Sequence, residues 1–316
     1  MLNLHKRLTL IPALVIALFM TACTAHQQDA LLNKVTELGR EKAGLVKSQA
    51  HTDDIDMVYL ERQGTGPVVM MVHGFSANKD TWLRFADALP ENYRLIAPDL
   101  AGHGQSALAE SYDLEAQADR LHALASILRL SEFHIVGNSM GGAISVIYAS
   151  KYPEQIRSLT LIDAAGLDGD TKSDYYKMLE QGSNPLIATD KESFEFRMDM
   201  VMEQPPALPW PLRPALTRQT IARADLNREI FADMIATRER LPVDTFGPLI
   251  SANVTMPTLI MWGAEDRVLD VSAVETFKTY IPQAEVSIFE GIGHVPMLEI
   301  PDESAAVLTE FISKID

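Results

Sequence analysis

The sequence predicts an α/β fold, a mostly parallel twisted sheet flanked by helices and carrying a helical insertion, on three observations. Short apolar runs alternate with helical stretches along most of the chain. The rhythm breaks after Asp163 and resumes at Thr258, and a glycine-flanked serine, Ser139, falls where a strand meets a helix. The 316 residues, 47% hydrophobic and 22% charged, suit one globular domain with an insertion and leave little room for disorder. The formal charge of −16 is spread along the chain without a basic face, which favours solubility and argues against nucleic acid as a partner. Neither a solenoid-period repeat nor a low-complexity tract is present.

At the N-terminus, His5, Lys6 and Arg7 precede an apolar run over residues 8–20. That run is shorter than the roughly 20 residues needed to span a bilayer, so residues 1–22 read as a cleaved export signal. Met20-Thr21-Ala22-Cys23 resembles a bacterial lipobox, in which cleavage frees a cysteine to receive diacylglycerol. Cys23, the one cysteine of the chain, is therefore the expected lipid attachment site, and an internal disulfide is impossible. The resemblance implies a protein anchored to the membrane without spanning it. Thr24, standing where an Asp would signal inner-membrane retention, implies the outer membrane of a bacterial envelope, facing the periplasm or the exterior. Residues 23–50 read as a tether, polar and charged, in which Leu31, Leu32, Val35 and Leu38 at helical spacing predict an amphipathic helix laid on the catalytic body.

The body follows in order. Residues 57–62 and 68–72 read as strands, 79–89 as a helix and 93–97 as a strand. Residues 114–130 are helical, 133–136 a strand, 139–151 a helix and 158–162 a strand. Strands that are apolar throughout, without alternation, belong to a parallel sheet covered on both faces. Residues 164–253 differ. They hold helical segments, four prolines between Pro205 and Pro211, and methionines such as Met178, Met198, Met200 and Met202. An insertion of this kind is a helical cap over the carboxyl edge of the sheet, where open α/β sheets bind ligands. The core thus comprises 51–163 and 254–316, closing with a strand at 258–262, a helix at 271–281, a strand at 285–289 and a helix at 301–313.

Gly137-Asn138-Ser139-Met140-Gly141 fits G-x-S-x-G between the strand at 133–136 and the helix after it. The glycines allow the sharp turn that lifts a serine hydroxyl above a sheet, which makes Ser139 the candidate nucleophile. A serine needs a base, and His294 is the sole histidine after Ser139, in a glycine-rich loop after the final strand. The acid belongs after the preceding strand, where Trp262-Gly263-Ala264-Glu265-Asp266 supplies Asp266. Glu265, Asp270 and Asp163 are the alternatives, the last at the end of an earlier strand. Backbone N–H groups of Met140 and Phe75 are the expected oxyanion donors. His73 and His103 read as structural histidines, and neither has a carboxylate or cysteine at metal-ligand spacing. The methionines and aromatics of the cap are mostly core, with some expected to line an acyl pocket.

Two resemblances rest on these residues. His73-Gly74-Phe75, the elbow through Gly142, the run 262–271 and Gly293-His294 resemble the monoacylglycerol lipase branch of the α/β hydrolases. Asn78-Lys79-Asp80, the segment 138–145, Tyr152-Pro153 and the segment 293–297 resemble the lipoprotein-type lipases of cold-living bacteria, often named lipase 1. They imply an α/β-hydrolase fold with the cap inserted after the sixth core strand. They also imply acyl-enzyme hydrolysis of mono- or triacylglycerols or similar lipid esters by a monomer, with no cofactor and no metal. The elbow is also similar to that of the meta-cleavage hydrolases, which cut carbon–carbon bonds with the same triad. Phe75-Ser76-Ala77 and Val295-Pro296 depart from the glycine-rich loop and the tryptophan those enzymes carry. A non-catalytic, hydrolase-like envelope protein is the reading from a different class, and the complete triad argues against it.

Overall fold

A computed structural model of the chain describes residues 23–316, so the export signal read at residues 1–22 lies outside the described residues. Eight strands form one sheet in the order β1-β2-β4-β3-β5-β6-β7-β8. They are β1 Val46–His51, β2 Asp56–Arg62, β3 Val68–Val72, β4 Arg94–Pro98, β5 Phe133–Asn138, β6 Ile156–Ile162, β7 Thr258–Gly263 and β8 Glu285–Phe289. β2 runs antiparallel to β1 and β4, and all other pairings are parallel.

Side chains two apart along a strand share a face, and the core divides accordingly. Met70, Val72, Ile135, Leu159, Leu161, Ile260 and Trp262 point to one side, against Leu121 and Leu124 of α3 (Leu114–Ile127) and Ile144 of α4 (Met140–Lys151). Val69, Met71, Val136, Leu259 and Met261 point to the other, against Phe85 of α2 (Leu83–Ala88) and Leu308 and Phe311 of α12 (Pro301–Ser313). Both faces are therefore apolar, which is why β5 and β7 are buried at every residue. Each fully buried Leu, Ile or Phe contributes about 1.5–3 kcal/mol. Between β6 and β7 the chain leaves the sheet for five helices: α5 Asp174–Glu180, α6 Lys191–Val201, α7 Leu212–Ile221, α8 Ala224–Arg240 and α9 Val243–Asn253. α9 packs on α4.

Residues 23–50 are not a simple tether. β1 occupies residues 46–51 and pairs with β2, and its polar sequence, exposed at most positions, hid it as an edge strand with little apolar signal. α1 (Ala25–Lys42) does lie on the body, but with its apolar stripe turned outward: Leu31, Val35 and Leu38 are 42–51% exposed. Polar groups hold the helix instead. Arg218 of α7 donates to Gln28 Oε1 at 2.8 Å and to Asp29 Oδ1 at 2.6 Å, and Arg40 grips Asp80 through two hydrogen bonds of 2.7 Å. α1 thus ties the cap to the loop after β3. The hydrophobic spacing showed the helix, whereas its orientation depends on these long-range partners.

That loop is fixed by a buried ion pair. Lys79 Nζ donates to Asp99 Oδ2 at 2.6 Å, Asp99 also accepts the N–H groups of Lys79 and Gln105, and both side chains are essentially inaccessible. Asp99→Ala leaves a desolvated ammonium without its partner and should cost about 3–5 kcal/mol. A urea titration reads this as a lowered midpoint, which the double replacement Lys79→Met with Asp99→Leu should restore only in part, because the N–H groups of Lys79 and Gln105 still lose their acceptor. A midpoint unchanged in Asp99→Ala would contradict it.

Candidate active site

Ser139 sits in the turn from β5 into α4 with φ 55° and ψ −122°, a conformation that costs a non-glycine residue about 1–3 kcal/mol. Close backbone packing imposes it. A Cβ on Gly137 would lie 2.2 Å from the Gly141 carbonyl oxygen, and one on Gly141 would lie 2.2 Å from that of Val72. The serine N–H donates to Ile162 O at 3.0 Å, and its carbonyl accepts from Ala165 N–H at 3.0 Å, so the end of β6 holds the turn in place. The side chain is partly exposed, and its hydroxyl makes no hydrogen bond among the described residues.

His294 lies in the loop between β8 and the short helix α11 (Pro296–Glu299). Its Nδ1 stands 2.7 Å from Asp266 Oδ2, and both residues are buried. The other Asp266 oxygen, Oδ1, accepts the N–H groups of Val268 at 2.7 Å and Leu269 at 3.0 Å. An ionised carboxylate only accepts, so Nδ1 carries the hydrogen and Nε2 presents a lone pair. Asn138, next to the serine, donates from Nδ2 to Ile162 O at 3.1 Å and to His294 O at 3.2 Å, binding the serine turn to the histidine loop. Glu299 secures that loop from the other side. It accepts from Gly293 N–H at 3.0 Å and from the N–H groups of Glu203 and Gln204 beyond α6, and burial raises its pKa.

The loop after β3 covers the serine. A Cβ on Gly74 would lie 3.1 Å from Ser139 Cβ, which puts Phe75 beside the turn. Met140 is the first residue of α4, so its N–H has no intrahelical acceptor. Neither its N–H nor that of Phe75 donates elsewhere among the described residues. His73 accepts from Leu100 N–H at Nε2, 3.1 Å away, and its Nδ1 donates to Gly74 O at 2.8 Å. Its pKa falls to about 4 and that of His103 to about 3, each chiefly through burial, so both are neutral supports of the loop backbone. The cap reaches the same loop: Arg197 of α6 donates to Ser76 O at 3.2 Å, and Asn227 of α8 to Ser76 Oγ at 2.9 Å.

Under the cap, Leu114, Ala143, Ile147, Ala165, Leu179 and Met234 line a narrow apolar cavity of about 70 Å³. An open cleft of about 640 Å³ lies outside it, and Phe231 of α8 borders both. The Phe231 ring also leans on that of Phe75, centroids 5.9 Å apart. Phe231 therefore stands between the cavity, the cleft and the loop after β3.

Asp163, Asp266 and His294 are the one His and carboxylate cluster of metal-ligating size among the described residues. Asp266 and His294 already bond to each other, and Asp163 Oδ1 accepts Gly263 N–H at 2.9 Å. Asp163 Oδ2 and His294 Nε2 are left over, which is too few donors for a metal site. Of the alternative acids, Asp163 is in the cluster; Glu265 is exposed, and Asp270 accepts from Ser272 N–H. Sequence reasoning missed Asn138 and Glu299 as supports. The one available signal for Glu299 was an acid isolated in the apolar run after His294.

The profile of the family described as alpha/beta hydrolase fold matches residues 67–301. Lipase 1 of Psychrobacter immobilis is 38% identical over 93% of both chains. Monoacylglycerol lipase ABHD6 of Homo sapiens is 29% identical over 87% of this chain and 85% of its own. Among solved structures, a membrane phospholipase A described as a bacterial virulence factor superposes with a TM-score of 0.86 at 38% identity, over 98% of this chain and 99% of that one.

Proposed function

The chain belongs to the α/β hydrolase fold family, and from that premise we infer that Ser139, His294 and Asp266 make it a serine-dependent lipase. It is a hydrolase of carboxylic esters, and the likeness to Lipase 1 and to a monoacylglycerol lipase favours acylglycerols as substrates. The observation that carries the reading is the 2.7 Å Asp266–His294 bond standing behind a strained serine turn.

Ser139 Oγ attacks the ester carbonyl as His294 Nε2 takes its proton, and Asp266 stabilises the imidazolium. The N–H groups of Phe75 and Met140 receive the developing oxyanion. Collapse expels the glycerol oxygen with the proton from His294. A water, deprotonated by the same nitrogen, then frees the fatty acid. The apolar cavity at Ala165 and Ile147 takes the acyl chain. Its narrowness means that Phe231 and the cap helices part as a long chain enters. The same architecture suits the carbon–carbon cleavage of meta-cleavage hydrolases less well, because the Phe75-Ser76-Ala77 loop keeps a single glycine, Gly74, beside the serine.

Attachment of lipid at Cys23 would place the enzyme on the bacterial envelope, its substrate source. Cys23 stands next to Thr24, the N-cap of α1, and that helix carries the exposed Leu31, Val35 and Leu38. The test is hydrolysis of monoacylglycerol, emulsified triacylglycerol, phosphatidylcholine and short nitrophenyl esters by residues 23–316. Long monoacylglycerols should be cleaved with a kcat/KM at least about tenfold above butyrate esters, each buried methylene adding about 0.8 kcal/mol. Cleavage confined to short esters would overturn the lipase assignment.

A further inference from the structure

Asp163 follows β6 directly. It is fully buried and, although not a glycine, held at φ 45°. The parallel pairing of β6 with β7 sets it beside the acid of the triad, and one side-chain ligand atom from each of Asp163, Asp266 and His294 falls within 4.8 Å of the others. Its Oδ1 accepts Gly263 N–H, while Oδ2 is buried with no partner among the described residues. On Asp266, Oδ1 takes two N–H groups and Oδ2 takes His294, which leaves Oδ2 one lone pair to spare.

The titratable groups around Asp163 are Asp266 from the loop after β7, Glu299 from α11 and His294 from the loop after β8. No lysine or arginine is among them. Two ionised carboxylates in contact without a cation would repel each other in a dry site. A proton on Asp163 removes the repulsion and gives the orphaned oxygen a bond. We propose that Asp163 is a positioning residue that keeps its proton on Oδ2 and donates it to Asp266, so that the acid of the triad is a carboxylic acid–carboxylate pair carrying one negative charge. Burial first, and the nearby Asp266 charge second, push the Asp163 carboxyl well above the usual range. The donated bond draws charge from Asp266 and weakens its hold on the imidazolium. The inference rests on the triad as assigned above.

The experiment follows kcat/KM for a short nitrophenyl ester against pH in the wild type, Asp163→Asn and Asp163→Ala. Asparagine supplies the same acceptor to Gly263 and an N–H in place of the O–H, so its acid limb should stay within about 0.3 pH unit and its rate within threefold. Alanine removes the donor. Its acid limb should move upward by about half a unit, as Asp266 holds the imidazolium more tightly, and its rate should fall about tenfold. If Asp163 were ionised, both variants would delete a negative charge and move the limb downward, which overturns the proposal. An acid limb unmoved in alanine overturns it too.

Thermal melting gives a second readout for the well-folded Asp163→Asn protein. A proton kept by the folded chain and released by the unfolded one makes stability fall as pH rises above the ordinary carboxylate range. The wild-type Tm should therefore drop relative to Asp163→Asn between pH 4.5 and 8, and a constant or closing gap contradicts the proposal. Wild-type rates in Ser139→Ala would instead remove the triad reading itself, so the two failures are distinguishable.

Discussion

Ser139→Ala should lower kcat on any ester by about 10⁶-fold, or about 8 kcal/mol of transition-state stabilisation, with KM nearly unchanged. In the proposed mechanism the hydroxyl supplies the attacking oxygen, and no other group stands at the same point of the turn. The fold should not change. Alanine is as strained as serine at φ 55°, and the backbone bonds to Ile162 and Ala165 do not involve the side chain. Steady-state kinetics beside a melting curve separates the cases: a variant that melts normally yet retains a tenth of wild-type activity would remove Ser139 from the mechanism.

The second large effect is expected from Asp266→Asn, about 10⁴-fold in kcat. The direction follows from the hydrogen bonds. Val268 and Leu269 donate N–H groups to Oδ1 and so fix the amide oxygen of an asparagine there, turning its NH₂ toward His294. Nδ1 must then accept, and the ring hydrogen moves to Nε2, which can no longer take the proton of the serine. Activity should recover little with added substrate, because the loss lies in the chemical step. A loss below tenfold would show that another group, Asp163 foremost, orients the imidazole.

Much of the proposed site could be read from the sequence because its logic is local. The G-x-S-x-G turn needs small residues where two backbones touch, and the order of strands places Asp266 and His294 at the same sheet edge as Ser139. The buried strands were equally plain, since apolar residues at every position suit a sheet covered on both faces. Elements held by polar or long-range contacts were not legible. β1 has an edge strand's mixed sequence. The orientation of α1 depends on Arg218 and Arg40, whose partners lie far along the chain or across the fold. The Asn138 bond to the histidine loop and the meeting of Asp163 with Asp266 exist only once the parallel strands lie side by side.

Formation of an acyl-enzyme on Ser139 tests the central claim most directly. Intact-mass measurement of the chain quenched during turnover of a decanoyl nitrophenyl ester, followed by peptide mapping, reads the intermediate. One decanoyl group per chain, confined to the peptide containing Ser139 and missing from Ser139→Ala, is the expected result. Acylation at another residue, or rapid turnover with the same burst in Ser139→Ala, would contradict it.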